Sequence, residues 1–240
     1  MVNSLFRHTK MVLDRYFDRA WIIFCSSLVM FSHVNKVRIG SEYGGWTICP
    51  SRIGFDSIVF SAGIGEDITF DTELIKQYCC SIRAFDPTPR VLAWLKEQDL
   101  PEKFIYLGVG IANFDGEANF FPPENPNFVS HSILKRSQTE DGAIIVKVKK
   151  LATLMRESGL EHIDILKMDI EGAEYNVISD ILSDGILPGQ ILVEFHHFQP
   201  NIGRSKTIKA TMQLLLHGYR IFNVSSSGHE YSFIRKGVRH

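Results

Sequence analysis

Cysteine is scarce in this 240-residue chain, and Cys25, Cys49, Cys79 and Cys80 include one adjacent pair but no Cys-x-x-Cys. Neither a zinc site nor a disulfide framework is signalled, so a reducing, cytoplasmic setting is the simpler expectation. An excess of one charge is also missing: 26 Lys and Arg face 27 Asp and Glu, for a net charge of −1 with His neutral. Without a broad basic face, nucleic acid is not the expected partner. Long apolar runs are absent as well. The most apolar stretch, Trp21 to Phe31, falls short of the roughly 20 residues a membrane-spanning helix needs. Asp14 and Asp18 interrupt the basic residues before it, and Ser32 to Asn35 offer no clear small-residue cleavage pattern, which argues against a secretory signal. Internal repeats and low-complexity tracts are lacking too.

What remains suits one globular α/β domain: 45% hydrophobic and 22% charged residues in a chain long enough to bury a full core. Residues 1–37 read as an N-terminal helical, apolar extension and 38–240 as the domain. Within the extension, Ser4 to Phe31 form an amphipathic helical pattern expected to pack on the domain or on a second subunit, as in a homodimer. Arg7, Lys10, Arg15 and Arg19 beside the apolar run make contact with a membrane surface the sharper alternative.

The acidic stretch Asp164-Ile165-Leu166-Lys167-Met168-Asp169-Ile170-Glu171-Gly172-Ala173-Glu174 follows the pattern of an apolar strand, a glycine turn and a helix start. Asp169 and Glu171 are thereby expected at the C-terminal end of a strand, the edge at which open parallel sheets bind ligands. Glu174 fits a site residue or a first-turn carboxylate favoured by the helix dipole. A second strand, Ser57 to Ala62, ends in the turn Gly63-Ile64-Gly65-Glu66-Asp67, where the glycines let backbone approach a ligand ahead of a helix from Thr69 to Tyr78. Asp86 ends the next strand about 20 residues after that turn, the spacing that places a carboxylate on ribose hydroxyls; a turn residue ahead of Pro87 is its plainer reading.

From Ser57 onward strands and helices alternate, which selects a parallel sheet covered on both faces. Strands are expected at 58–61, 82–85, 104–107, 163–168, 191–195, 219–223 and 231–235, and helices at 69–78, 90–97, 151–158, 174–182 and 206–217. The last two strands have no helix between them, so a terminal hairpin joined through Ser225-Ser226-Ser227-Gly228 is expected. Phe114 to Asp141 breaks the alternation, although Ala118 to Phe121 has the composition of an edge hairpin. Asn127 to Ser137 is expected to form part of a lid over the acceptor.

The octapeptide Lys167 to Glu174 resembles the signature of FkbM-type methyltransferases, a branch of the class I enzymes that use S-adenosylmethionine. Tyr43-Gly44-Gly45-Trp46, the turn Gly63 to Asp71, Phe85-Asp86-Pro87-Thr88 and Val193-Glu194-Phe195-His196 resemble further blocks of the family in the same order, so the resemblance runs from about Arg38 to Arg235. It implies a doubly wound, mostly parallel, seven-stranded Rossmann-like sheet with an antiparallel last strand. It also implies that Gly63, Gly65 and Asp86 contact S-adenosylmethionine while Asp169 and Glu171 face its reacting end. In one departure, many class I enzymes carry an acid where this chain has Ser61, and Asp67 is the residue expected to take over part of that role at the methionine amino group.

Methyl transfer requires alignment of the acceptor and removal of its proton. Asp169, Glu171 and His196 are expected around the acceptor oxygen, with His196 as base because free imidazole titrates near neutral pH; His197 reads as structural. The same trio would suit magnesium or manganese rather than zinc, although a metal is not required by the composition. The expected activity is O-methylation of a small-molecule or carbohydrate-like acceptor. A nicotinamide-dependent oxidoreductase is the alternative, weakened because Ile68 stands where the third glycine of Gly-x-Gly-x-x-Gly belongs. A non-catalytic binding protein on the same fold has only Ser61 in its favour.

Overall fold

A computed structural model describes residues 34–121, 143–199 and 202–237, together with Ala20, Ile23, Ser27 and Val29. The expected lid from Asn127 to Ser137 and most of the expected N-terminal helix lie outside the described residues. Ala20, Ile23, Ser27 and Val29 are helical, and Val29 packs against the larger core.

Seven strands form the central sheet: β3 (Ile58–Ala62), β4 (Ser81–Phe85), β5 (Phe104–Leu107), β9 (Ile165–Met168), β10 (Gln190–Glu194), β11 (Tyr219–Val224) and β12 (Glu230–Arg235). Their order across the sheet is β11-β12-β10-β9-β3-β4-β5. The strands from β10 to β5 are mutually parallel, and β12 runs antiparallel to both β10 and β11. β11 and β12 form the expected terminal hairpin, and β12 lies between β10 and β11.

Five helices cover the sheet: α1 (Thr69–Tyr78), α2 (Pro89–Leu95), α3 (Leu151–Glu157), α4 (Glu174–Ser183) and α5 (Arg204–Leu216). The strands are apolar on both faces because both faces are buried. Phe60, Ala62, Leu166, Met168, Ile191 and Val193 pack against α3, α4 and α5. Val59, Ile82, Ala84, Ile165 and Leu192 meet α1, α2 and the two-stranded ribbon β1 (Val37–Ile39) and β2 (Trp46–Ile48). A three-stranded side sheet completes the described fold, with β8 (Ile144–Lys149) between β6 (Gly110–Ile111) and β7 (Gly116–Phe120). Neither this side sheet nor the β1–β2 ribbon was expected as such from the sequence. Among the described residues no helix is long and apolar enough to cross a membrane.

Candidate functional site

The parallel register lines up the ends of four neighbouring strands: Ala62 pairs with both Phe85 and Met168, and Met168 pairs with Val193. Gly63, Asp86 and Asp169, the next residues, and Glu194, the last residue of β10, therefore line up along one rim. Strand order reverses between β3 and β9, so this rim includes the crevice where doubly wound sheets hold ligands. Backbones approach closely there: the Asp169 N–H donates to the Ala62 carbonyl, and a Cβ on Gly63 would stand 1.7 Å from the Asp169 carbonyl oxygen.

On the glycine side, Gly63 and Gly65 have φ of 71° and 55°. The Gly65 N–H donates to Asp86 Oδ2 at 3.2 Å, while Asp86 Oδ1 accepts from the Thr88 amide and hydroxyl. Burial pushes the Asp86 carboxyl up, against these donors. Asp67 is engaged differently: Oδ2 accepts from Ser41 Oγ at 2.6 Å and Oδ1 from the Thr69 amide and hydroxyl. Burial would raise its carboxyl, but these donors outweigh it and hold it low. Asp67 thus ties the first residue of α1 to the loop before β2. Beneath the glycine turn, Lys167 donates from Nζ to the carbonyls of Ala62 and Gly63.

On the acidic side, Asp169 and Glu171 follow β9 and His196 follows β10. His196 Nε2 lies 3.5 Å from Asp169 Oδ1 and 3.6 Å from Glu171 Oε2, and its Nδ1 lies 3.4 Å from Glu174 Oε1. The His196 side chain is 3% exposed and that of Glu174 0%, whereas Asp169 is 34% exposed and opens the cluster to solvent. Glu174 accepts from the Gly172 and His196 backbone amides, and Glu171 Oε2 accepts from Gln199 Nε2 at 3.0 Å. Burial would lower the imidazole, but Glu174, Glu171 and Asp169 outweigh it and push it up to about 10. Burial and the Asp169 charge push Glu194 up to about 8. His197 is set apart: its Nδ1 meets Thr207 Oγ1 at 3.2 Å, and burial together with His229 lowers it to about 4.

All the predicted site residues therefore stand on one rim, in two groups. Sequence reasoning left Glu174 open between a helix-start and a site residue, and missed Gln199, which is bonded to the cluster, and Tyr43, which feels its charge. Tyr43 is largely exposed, and partial shielding followed by the charges of Asp169, Glu194, Glu171 and Asp67 raises its phenol. The resemblance block at Tyr43-Gly44-Gly45-Trp46 was the available signal.

A family model described as the methyltransferase FkbM domain matches residues 41–221. The 2-O-methyltransferase NoeI of Sinorhizobium fredii is 29% identical over 109 residues, 40% of this chain and 45% of that protein. Among solved structures, the methyltransferase FkbM from Methylobacillus flagellatus is similar over 76% of this chain and 44% of its own, with TM-score 0.48 and 10% identity. The Methanococcus jannaschii fibrillarin pre-rRNA processing protein is similar over 85% and 84%, with TM-score 0.46 and 11% identity. The match thus spans less than half the length of NoeI and of the M. flagellatus protein.

Proposed function

The chain belongs to the FkbM-domain methyltransferase family, and from that premise we propose that it transfers a methyl group from S-adenosylmethionine to a hydroxyl of a small-molecule or carbohydrate-like acceptor. The observation that carries this reading is the shared rim, with the glycine turn and Asp86 beside the Asp169, Glu171 and His196 cluster. Gly63 and Gly65 let backbone approach the cofactor, and Asp86 accepts from its ribose hydroxyls. The cofactor supplies an electrophilic methyl carbon. The protein's task is to align the acceptor oxygen with that carbon and to take up the hydroxyl proton. An oxygen nucleophile is supported by the relative named as a 2-O-methyltransferase.

His196 is the base on the sequence reading. Its surroundings favour another assignment, because an imidazole raised to about 10 is already protonated at neutral pH. In our reading the imidazolium neutralises part of the acidic cluster, and Asp169, the more exposed carboxylate, receives the proton.

Calorimetric titration with S-adenosylhomocysteine tests the cofactor assignment. Wild type is expected to bind it, and Asp86→Ala to weaken binding at least ten-fold, as loss of a charged hydrogen-bonding partner of about 1.5–3 kcal/mol would do. Binding of NAD in its place would turn the reading toward the oxidoreductase alternative.

A further inference from the structure

We propose that Asp169, Glu171 and His196 form a binding site for one hard divalent cation of the manganese or magnesium type. Their donor atoms, two carboxylate oxygens and an imidazole nitrogen, all lie within 4.8 Å of one another. The distances from Nε2, 3.5 and 3.6 Å, exceed the roughly 2.7–2.9 Å of a charge-assisted hydrogen bond, so direct pairing does not close the cluster. A six-coordinate ion with bonds of about 2.1 Å holds neighbouring donors about 3 Å apart and opposed donors about 4.2 Å apart. Side-chain movements of roughly 0.5 Å would bring all three donors onto such an ion.

The surrounding shell is a second, independent observation. His196 is almost wholly buried with Nε2 aimed at the two carboxylates at 3.5 and 3.6 Å, and its Nδ1 closes no well-formed hydrogen bond. Behind it, Glu174 is fixed by two backbone amides and faces Nδ1, the carboxylate–histidine arrangement that orients a metal-binding imidazole. Gln199 fixes Glu171 in the same way. The nearby Lys167 cation is engaged beneath the glycine turn. A donor set with two carboxylates, one imidazole and no thiolate suits a hard ion. On binding, the ion replaces the Nε2 proton, which leaves to solvent. The ion then takes over the charge neutralisation that the imidazolium provides in its absence, and Asp169, holding the ion through one oxygen, keeps the other for the acceptor proton. The ion's effect on the reaction, lowering the acceptor hydroxyl's pKa, rests on the methyltransferase reading; binding of the ion does not.

The test is titration of the full chain with Mn²⁺, following free ion by electron paramagnetic resonance, with S-adenosylhomocysteine calorimetry on the same preparations to report the methyltransferase reading separately. We expect one Mn²⁺ per chain, with affinity falling at least ten-fold in Asp169→Asn and in Glu171→Gln. Paramagnetic broadening of the His196 ring signals at substoichiometric Mn²⁺ provides the same test in the unaltered chain. No binding by wild type, wild-type affinity in both variants, or sharp His196 signals would overturn the site, whatever the S-adenosylhomocysteine titration shows.

Discussion

At the scale of single residues, the rim depends on the close approach of two backbones. Gly63 and Gly65 both have positive φ, but only a Cβ at Gly63 meets the Asp169 carbonyl; at Gly65 nothing lies within 4 Å. Gly65→Ala is therefore expected to cost about 1 kcal/mol, the left-handed backbone alone. Gly63→Ala must also separate β3 from the turn after β9, at a cost on the order of 2–4 kcal/mol. Thermal unfolding should lower the melting temperature clearly more for Gly63→Ala, and equal losses would refute this account of the crevice. Glu171 shows a related tension. A non-glycine residue at φ 52° stores roughly 1–2 kcal/mol of backbone strain, held in place by the hydrogen bond from Gln199.

At the scale of elements, β9 and α1 meet across a buried charge. Strand alternation turns Lys167 and Ser61 toward α1, whose Asp71 is 2% exposed. Burial pushes the Asp71 carboxyl up to about 6, against the pull of Lys167 and Ser61. Neither Ser61 Oγ nor Asp71 Oδ1 closes a well-formed hydrogen bond, so that attraction acts across a gap. A folded-state pKa above the unfolded 3.8 means that Asp71 contributes stability below pH 3.8 and loses it as pH rises through 6. Relative to wild type, Asp71→Asn should gain stability between pH 4 and 6 and level off above that. A flat difference across denaturant unfolding at these pH values would contradict it.

The same elements show what the sequence made legible. The seven central strands and five helices could be read because each is a single apolar or amphipathic run, many of them bounded by glycine, proline or an acid. Asp86 and Asp169 could be placed because each directly follows such a strand, and Glu171 because it stands two residues beyond Asp169 in the same turn. The β1–β2 ribbon was not legible: three-residue strands are too short to show a period. β8 alternates inward Val146 and Val148 with outward lysines, but its partner β7 lies across residues 121–143, and no local signal links them. The contact of Glu174 with His196 was hidden for the same reason, since the two residues are 22 positions apart and meet only once β9 and β10 pair.

At the scale of the whole molecule, the rim is made from both halves of the chain, and β10 is held between β9 and β12. Ile191, Leu192 and Val193 are fully buried there. A chain ending after Val224 would leave β10 with an unpaired apolar edge, so it is expected to self-associate and to lose binding of S-adenosylhomocysteine. Size-exclusion chromatography with light scattering would detect this, and a monomer that still binds would disprove it.

That strand order also sets a timetable. Every residue of the rim emerges from the ribosome before Glu230 to Arg235, yet the strand that ends in Glu194 and leads to His196 gains its second neighbour only when those residues arrive. The nascent chain must therefore carry an exposed edge through the last part of its synthesis. Completion of the site is consequently a late folding event, set by contacts distant in sequence rather than by the order in which its own residues are made.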